Sequence, residues 1–208
     1  MKRIGVYGGT FNPIHIAHLI TAEEVAELLH LEKVLFILSA NHPLKDTNGI
    51  IDPEKRMKMI NLAIKGNETF EASDIEIKLS GLPAEVTVQA GKSKSYTVDT
   101  LVNLREQYKN EQVKFYLIIG MDNLIELHTW KDPGKLFILS EVIVINRPRF
   151  YAQDVKNDFG RQVTYVPVSN IDISASEIRN RIRENRTIKY LVPEKVEKFI
   201  IQNNLYKQ

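Results

Sequence analysis

The chain has 208 residues, 43% of them hydrophobic and 26% charged, with a net charge of +2; this is the composition of a core-burying globular protein, without the basic excess that a large polyanionic partner would call for. It contains no cysteine, which excludes disulfides, thiolate metal sites and cysteine nucleophiles. No apolar run reaches membrane-spanning length and the start lacks the apolar stretch of a secretory leader, so one cytoplasmic domain is expected, with a core over 1–170 and a small C-terminal helical part over 171–208.

The first twenty residues organise the rest. Ile4, Val6 and Tyr7 form a short apolar run suited to a buried strand. Gly8-Gly9 breaks it with a turn that lets a ligand approach the main chain. Asn12-Pro13 reads as a helix start, a capping side chain followed by a residue pre-set to helical φ. His15 and His18, three apart, fall on one face of the opening helical turn. Strand, glycine turn, helix N-terminus and two convergent imidazoles together make an anion site, because free N–H groups and the positive end of the helix dipole point above the turn.

Val25, Leu28 and Leu29 carry a helix over 19–30, residues 33–38 read as a second buried strand, and 39–49 as a polar loop. Asp52-Pro53 opens another helix, with Met57, Ile60, Leu62 and Ile64 behind it and Gly66 ending it. Ile75, Ile77 and Leu79 alternate with Glu76 and Lys78, the period of a half-exposed strand. Residues 79–91, where Val86 and Val88 alternate again, read as a hairpin. A helix over 96–108 and strands over 113–119, 141–145 and 162–168 follow, with helical segments near 123–128 and 135–139 between them. This alternation argues an α/β fold, a Rossmann-like, doubly wound, mostly parallel sheet with helices on both faces. Ligands of such sheets bind beyond the carboxyl ends of the strands, where Gly8-Gly9, Ser39, Gly120 and Arg147 all fall. Ser174 to Glu177 starts a further helix. Arg179, one turn in, is placed to clamp an anion, whereas Arg181, Arg183 and Arg186 read as a solvated face. Residues 193–201 form a last amphipathic helix.

The ordered run Gly8-Gly-Thr-Phe-Asn-Pro-x-His-x-x-His18 resembles the phosphate-binding signature of the HIGH-motif nucleotidyltransferases, with Asn12 and Ala17 where that pattern has Asp and Gly. Over almost its whole length the chain is similar to the bacterial nicotinate mononucleotide adenylyltransferases. The similarity is carried further by residues 95–101, by Gly120-Met-Asp-Asn-Leu124 with Leu127 and Trp130, by Arg147-Pro148, by residues 173–179, and by the closing Val192-Pro193 and Leu205-Tyr206. The family runs almost directly from the position of Ile77 to that of Ser95, so residues 79–91 are an insertion.

The resemblance implies transfer of the adenylyl group of ATP to nicotinate mononucleotide, with release of pyrophosphate, in NAD biosynthesis. It implies His15, His18 and Arg179 as the catalytic set. The ATP side is completed by Gly8, Gly9, Thr10 and Phe11 around the phosphates, Gly120 and Asp122 at the adenosine, and Ile173, Ser174 and Ser176 beside Arg179. On the mononucleotide side stand Ser39, Lys45, Thr97, Trp130 and Lys131. Lys45 matches a basic position used for phosphate, and Thr97 and Trp130 match positions where backbone amides and an indole embrace the pyridine ring; Trp130 reads equally well as a core residue. Mg²⁺ is expected on the ATP phosphates, with no metal site of the protein's own. ATP and nicotinate mononucleotide are the expected partners, with no nucleic acid and no membrane, and a homo-oligomer is compatible with the sequence. The open alternatives are adenylyl transfer to nicotinamide mononucleotide or phosphopantetheine, a class I aminoacyl-tRNA synthetase signature at Lys92-Ser-Lys-Ser95, and a nucleotide-binding module without catalysis.

Overall fold

A computed structural model describes residues 1–39, 49–79 and 96–207. The chain runs through β1 (Lys2–Gly9), α1 (Ile16–Leu28), β2 (Lys33–Leu38), α2 (Pro53–Ile64), β3 (Phe70–Ser73), α3 (Ile75–Leu79), α4 (Thr97–Gln107), β4 (Val113–Gly120), α5 (Met121–Glu126), α6 (Pro133–Leu139), β5 (Glu141–Ile145), β6 (Thr164–Val166), α7 (Ala175–Arg183) and α8 (Glu194–Gln202). The strands form one sheet in the order β3-β2-β1-β4-β5-β6, and every pairing is parallel. The sheet therefore grows from β1 first one way, through β2 and β3, and then the other way from β4. The order reverses between β1 and β4, and a crevice opens there at the carboxyl ends.

Strand alternation divides the core into two layers. Val34, Phe36 and Leu38 of β2 join one layer with Val25 of α1, Met59 and Ile60 of α2, and Ile178 and Ile200 of the C-terminal helices. Leu35 and Ile37 join the other with Leu101 and Leu104 of α4, Leu124 of α5 and Leu136 of α6. Both faces of β2 are thus covered, which is why its sequence is a continuous apolar run. Helix α2 starts as its sequence predicts. Asp52 accepts a hydrogen bond from the Glu54 N–H at 2.9 Å, Pro53 is the first helical residue, and Gly66 follows with φ 101°.

Three local expectations are corrected. Residues 75–79 form a helical turn rather than a strand: the Lys78 N–H reaches the Asp74 carbonyl at 3.0 Å. Glu76, read as solvent-facing, is buried, and its carboxylate accepts from the Thr100 hydroxyl at 2.9 Å. Five residues are too few for period alone to separate strand from helix. Strand β3 has no expected counterpart: Phe70 and Ala72 alternate with Glu71 and Ser73 and pack on the core, but this four-residue edge strand, held by β2 alone, is too short to stand out by its period. The helix expected from Asn12-Pro13 begins instead at Ile16, with His15 as its cap residue. The expected hairpin, beyond Leu79, lies outside the described residues. Among the described residues no helix is long and apolar enough to cross a membrane.

Candidate active site

Gly8 and Gly9 do not break the first strand as expected: both stay in β1, paired with Ile37 and Leu38 of β2, and the chain turns only after Gly9, where an aromatic neighbour shapes it. Phe11 adopts φ 45°, a left-handed conformation that is costly for a bulky side chain. Its ring is 2% exposed and packs edge-on against Tyr7 and His18 and tilted against Phe36. A Cβ at Gly9 would stand 2.8 Å from that ring, so only glycine lets the chain fold back over it.

Asn12 does not cap the helix because tertiary partners occupy its amide. Its Nδ2 donates to the Gly49 carbonyl at 2.9 Å, and its Oδ1 accepts from the Tyr206 hydroxyl at 2.9 Å and, more weakly, from the Ile51 N–H at 3.4 Å. The cap falls to His15, whose N–H donates to His18 Nδ1 at 3.2 Å while the His18 N–H donates to the His15 carbonyl at 3.0 Å. An Nδ1 that accepts carries no proton, so neutral His18 is protonated on Nε2 and is a donor there. The two imidazoles stack with centroids 3.6 Å apart. Burial, assisted by the nearby Arg147 charge, pushes the His15 pKa down to about 3; His15 is a neutral imidazole at any physiological pH.

The end of β4 is built on a second close approach. A Cβ at Gly120 would collide with Asp122 Oδ1. Asp122 pairs with Arg147, which leaves the end of β5, at 2.9 Å. Next to it, Asn146 acts as a backbone substitute: its amide donates to the Val168 carbonyl at 2.9 Å and accepts from the Val168 N–H at 2.7 Å. This holds the segment that leads to α7. There Ser174 accepts from the Glu177 N–H at 3.1 Å as the helix cap. Arg179 turns back toward β1 and donates to the Asn12 carbonyl at 2.8 Å and the Ser176 hydroxyl at 3.3 Å.

On the other layer of the sheet, α4 begins after Tyr96, and Trp130 packs half-buried against the core there while lining the cleft. It is core and cleft wall at once. Lys131 donates to both carboxylate oxygens of Asp99, at 2.9 and 3.0 Å, and stands 4.9 Å above the centre of the Tyr96 ring. Its ammonium therefore already has a counter-ion. Arg181 departs from the solvated face expected of it, because its Nε donates to the Thr187 carbonyl at 2.8 Å and braces the turn after α7.

These residues line one cleft of about 650 Å³ across the carboxyl ends of β1 and β4. Gly8, Gly9, Thr10, Phe11, His15, His18, Ser39, Thr97, Gly120, Asp122, Trp130, Lys131, Ile173, Ser174, Ser176 and Arg179 all border it. Lys45 lies outside the described residues. Helices α1, α4, α5 and α7 each direct their N-termini toward it, so orphan N–H groups surround the space with partial positive charge.

One residue of this architecture escapes sequence reading. Arg56 on α2 is 1% exposed and donates to the carbonyls of Thr10, Ser39 and Ile51, each at 2.9 Å. It ties the ends of β1 and β2 together beneath the cleft, and burial draws its pKa down to about 10, leaving it charged at neutral pH. The available signal was an arginine on the apolar stripe of α2, in line with Met59 and Ile60.

Among the described residues no group of three or more His, Asp or Glu side chains is arranged to hold a metal ion. The cleft offers amides, hydroxyls, two imidazoles, the guanidinium of Arg179 and a carboxylate, Asp122, that is already paired with Arg147. A divalent cation carried by nucleotide phosphates and water fits that donor set.

Residues 6–181 match the family model of the cytidylyltransferase-like proteins. The chain is 36% identical to a probable nicotinate-nucleotide adenylyltransferase of Clostridium perfringens (strain 13 / Type A), over 100% of both chains. It is 37% identical to one of Thermomicrobium roseum, over 100% of this chain and 92% of that one. In fold it resembles the Plasmodium falciparum nicotinic acid mononucleotide adenylyltransferase solved in complex with NaAD, with a TM-score of 0.75, 21% identity and coverage of 99% of this chain and 98% of that one. Since the family model spans both histidines and Arg179, and relatives of one name align from end to end at 36% identity, the chain belongs to the nicotinate-nucleotide adenylyltransferase family, among the cytidylyltransferase-like proteins.

Proposed function

We propose that this protein transfers the adenylyl group of ATP to nicotinate mononucleotide, giving the deamidated dinucleotide and pyrophosphate in NAD biosynthesis. The observation that carries the reading is the shared cleft. The stacked His15 and His18, the Gly8-Gly9 end of β1 and Arg179 line it from the layer of α1 and α7, and Thr97 and Trp130 from the layer of α4. The phosphate chemistry and the pyridine ring thus have separate walls of one space.

The 5′-phosphate of the mononucleotide attacks the α-phosphorus in line, a P–O bond forms there, and the bond to the β-phosphate breaks. The attacking monoester is already largely dianionic, its second pKa being about 6, so the step needs no general base. None of the residues on the phosphate wall needs to move a proton. Their work is positioning and neutralising charge on the phosphoryl oxygens. His18 donates from Nε2, neutral His15 adds a second imidazole, and the amides of Gly8 to Thr10 cradle the phosphates. Arg179 with Ser174 and Ser176 holds the leaving pyrophosphate. Gly120 and Asp122 receive the adenosine, and Phe11 and Ile173 complete its surroundings. Ser39 and Lys45 serve the mononucleotide phosphate. When bound, Mg²⁺ supplies charge neutralisation across the phosphate oxygens; the protein binds it through the nucleotide.

The specificity has a physical basis at the α4 N-terminus. Nicotinate and nicotinamide differ by a carboxylate against a neutral amide, and the first N–H groups of α4, at Thr97 and Val98, favour an anion. Incubation of the protein with ATP, Mg²⁺ and, separately, nicotinate mononucleotide, nicotinamide mononucleotide or phosphopantetheine tests the reading by chromatography of the products. The expected result is release of pyrophosphate with the deamidated dinucleotide as the preferred product. Equal turnover of both mononucleotides would remove the specificity, and turnover of phosphopantetheine alone would remove the substrate class.

A further inference from the structure

The last turn of the described chain is buried although it lies at the end of the sequence. Leu205 is 6% and Tyr206 9% exposed. Asn204 and Tyr206 both take left-handed φ values, 49° and 66°, which cost free energy in residues other than glycine and need compensating contacts. The Leu205 N–H returns to the Ile200 carbonyl at 3.0 Å. This bend carries the Tyr206 ring inward, into the core layer that holds Phe11 and Ile14.

There the phenol donates to Asn12 Oδ1 at 2.9 Å, across 194 positions of sequence. The same Asn12 receives Arg179 on its backbone carbonyl at 2.8 Å. Asn12 stands between the glycine turn and His15. Two groups thus grip one residue of the phosphate loop, Arg179 by its main chain and Tyr206 by its side chain. The other bond to Oδ1 is the long one from Ile51, so the phenol is the principal donor to that oxygen. Burial raises the phenol pKa well above its ordinary value, against the opposing charges of Arg179 and Arg56, and so keeps the donor proton in place.

We propose that Tyr206 is a positioning residue of the nucleotide site, which through Asn12 sets the direction of the Thr10–His15 loop and of the Arg179 guanidinium bound to it. The inference rests on reading the cleft as an ATP site. Loss of the hydroxyl leaves a buried acceptor without its main partner, while the ring that fills the core stays. The displaced amide shifts the carbonyl that anchors Arg179, on the wall of the cleft opposite the pyridine.

The test is Tyr206→Phe in the full chain, with kinetics, ATP affinity by calorimetry in the absence of mononucleotide, and melting temperature. The variant keeps the ring and is expected to fold. Its kcat should fall about 5- to 30-fold, the range that a lost bond to a buried acceptor allows, with the KM for nicotinate mononucleotide within about two-fold. Combined with Arg179→Ala, the loss should be smaller than the product of the two single losses, because both act through Asn12. A lowered melting temperature with unchanged kcat and unchanged ATP affinity would reduce Tyr206 to a core residue and overturn the proposal. Strictly multiplicative losses would overturn the route through Asn12. If the wild type forms no dinucleotide, the substrate reading has failed separately, and ATP affinity decides: weakened about five-fold or more in Tyr206→Phe supports the positioning role, and unchanged overturns it.

Discussion

His15 and His18 stack with their ring planes 26° apart and their centroids separated by 3.6 Å, while the backbone N–H of the first donates to the ring of the second. Two imidazolium ions at that distance would repel strongly, and the His15 pKa, pushed down to about 3, keeps one member of the pair neutral. The unfolded chain binds a proton at this position near the ordinary value of 6.5, the folded chain only near 3. The contribution is therefore fully present above pH 6.5 and is lost as the pH falls toward 3, at roughly 1.4 kcal/mol per pH unit. In urea titrations at pH 7.5 and pH 5, the wild type should lose roughly 2 kcal/mol more than His15→Asn, a variant whose side chain suits a cap position and does not titrate. Equal losses in both proteins would mean that His15 is protonated in the fold.

Under the proposed function His18 donates from Nε2 to the ATP phosphates, and replacement by alanine removes that donor. Turnover in His18→Ala should fall roughly 10²–10³-fold, by analogy with loss of one oxyanion donor, while ATP affinity changes far less. Steady-state kinetics beside calorimetry separates the two effects. A folded variant with near wild-type kcat would exclude a transition-state role.

Arg179 and Arg181 lie on the same helix but face different partners, the Asn12 carbonyl and the Thr187 carbonyl. Arg179→Ala is expected to lower kcat/KM for ATP about a hundred-fold, since a guanidinium beside phosphate is both a charge and a fixed fork. Arg181→Ala should leave the kinetics unchanged and lower the melting temperature by a few degrees through the loosened turn. Equal kinetic losses would assign the effect to general positive charge on α7.

Arg56 cannot be replaced by an apolar side chain at no cost, because its partners are backbone carbonyls that remain when it is gone. Arg56→Met should lose about 3 kcal/mol or more of stability, the scale for a buried polar group deprived of its partner. Arg56→Lys, which keeps the charge but not the planar fork, should recover only part of it. Urea unfolding of the three proteins measures this. A loss below about 1 kcal/mol in Arg56→Met would show that the brace between β1 and β2 is dispensable.

Lys131 borders the cleft, and under the proposed function its ammonium is a candidate partner for the nicotinate carboxylate, yet it already donates to both oxygens of Asp99. The neutralised pair adds little attraction for a second anion, and both side chains are partly exposed, where such charges are screened. Lys131→Ala should therefore change the ratio of kcat/KM for nicotinate over nicotinamide mononucleotide by less than about three-fold. Asp99→Asn removes a carboxylate from the first turn of α4 and frees the ammonium, so the same ratio should rise. A collapse of the preference in Lys131→Ala would mean that the pair opens on binding.

What could be read along the chain is what depends on neighbours a few positions away. The Asp52-Pro53 and Ser174 helix starts, the apolar run of β2 and the alternation of strands with helices are local signals. They were enough to specify a parallel, doubly wound sheet with helices on both faces. Tertiary structure decided everything that depends on a partner from elsewhere. Asn12 has the right chemistry for a helix cap, but Gly49, Ile51 and Tyr206 claim its amide, and the cap passes to His15. Glu76 sits in a strand-like alternation, but Thr100 accommodates its carboxylate inside and the backbone turns helical. Arg56 looks like one more charge on a helix until β1 and β2 converge to give it three carbonyls. Lys131 keeps its charge but has it paired with Asp99, 32 positions away. A polar side chain makes whichever hydrogen bonds the assembled fold brings within 3 Å, and its nearest neighbours in sequence carry no record of that choice.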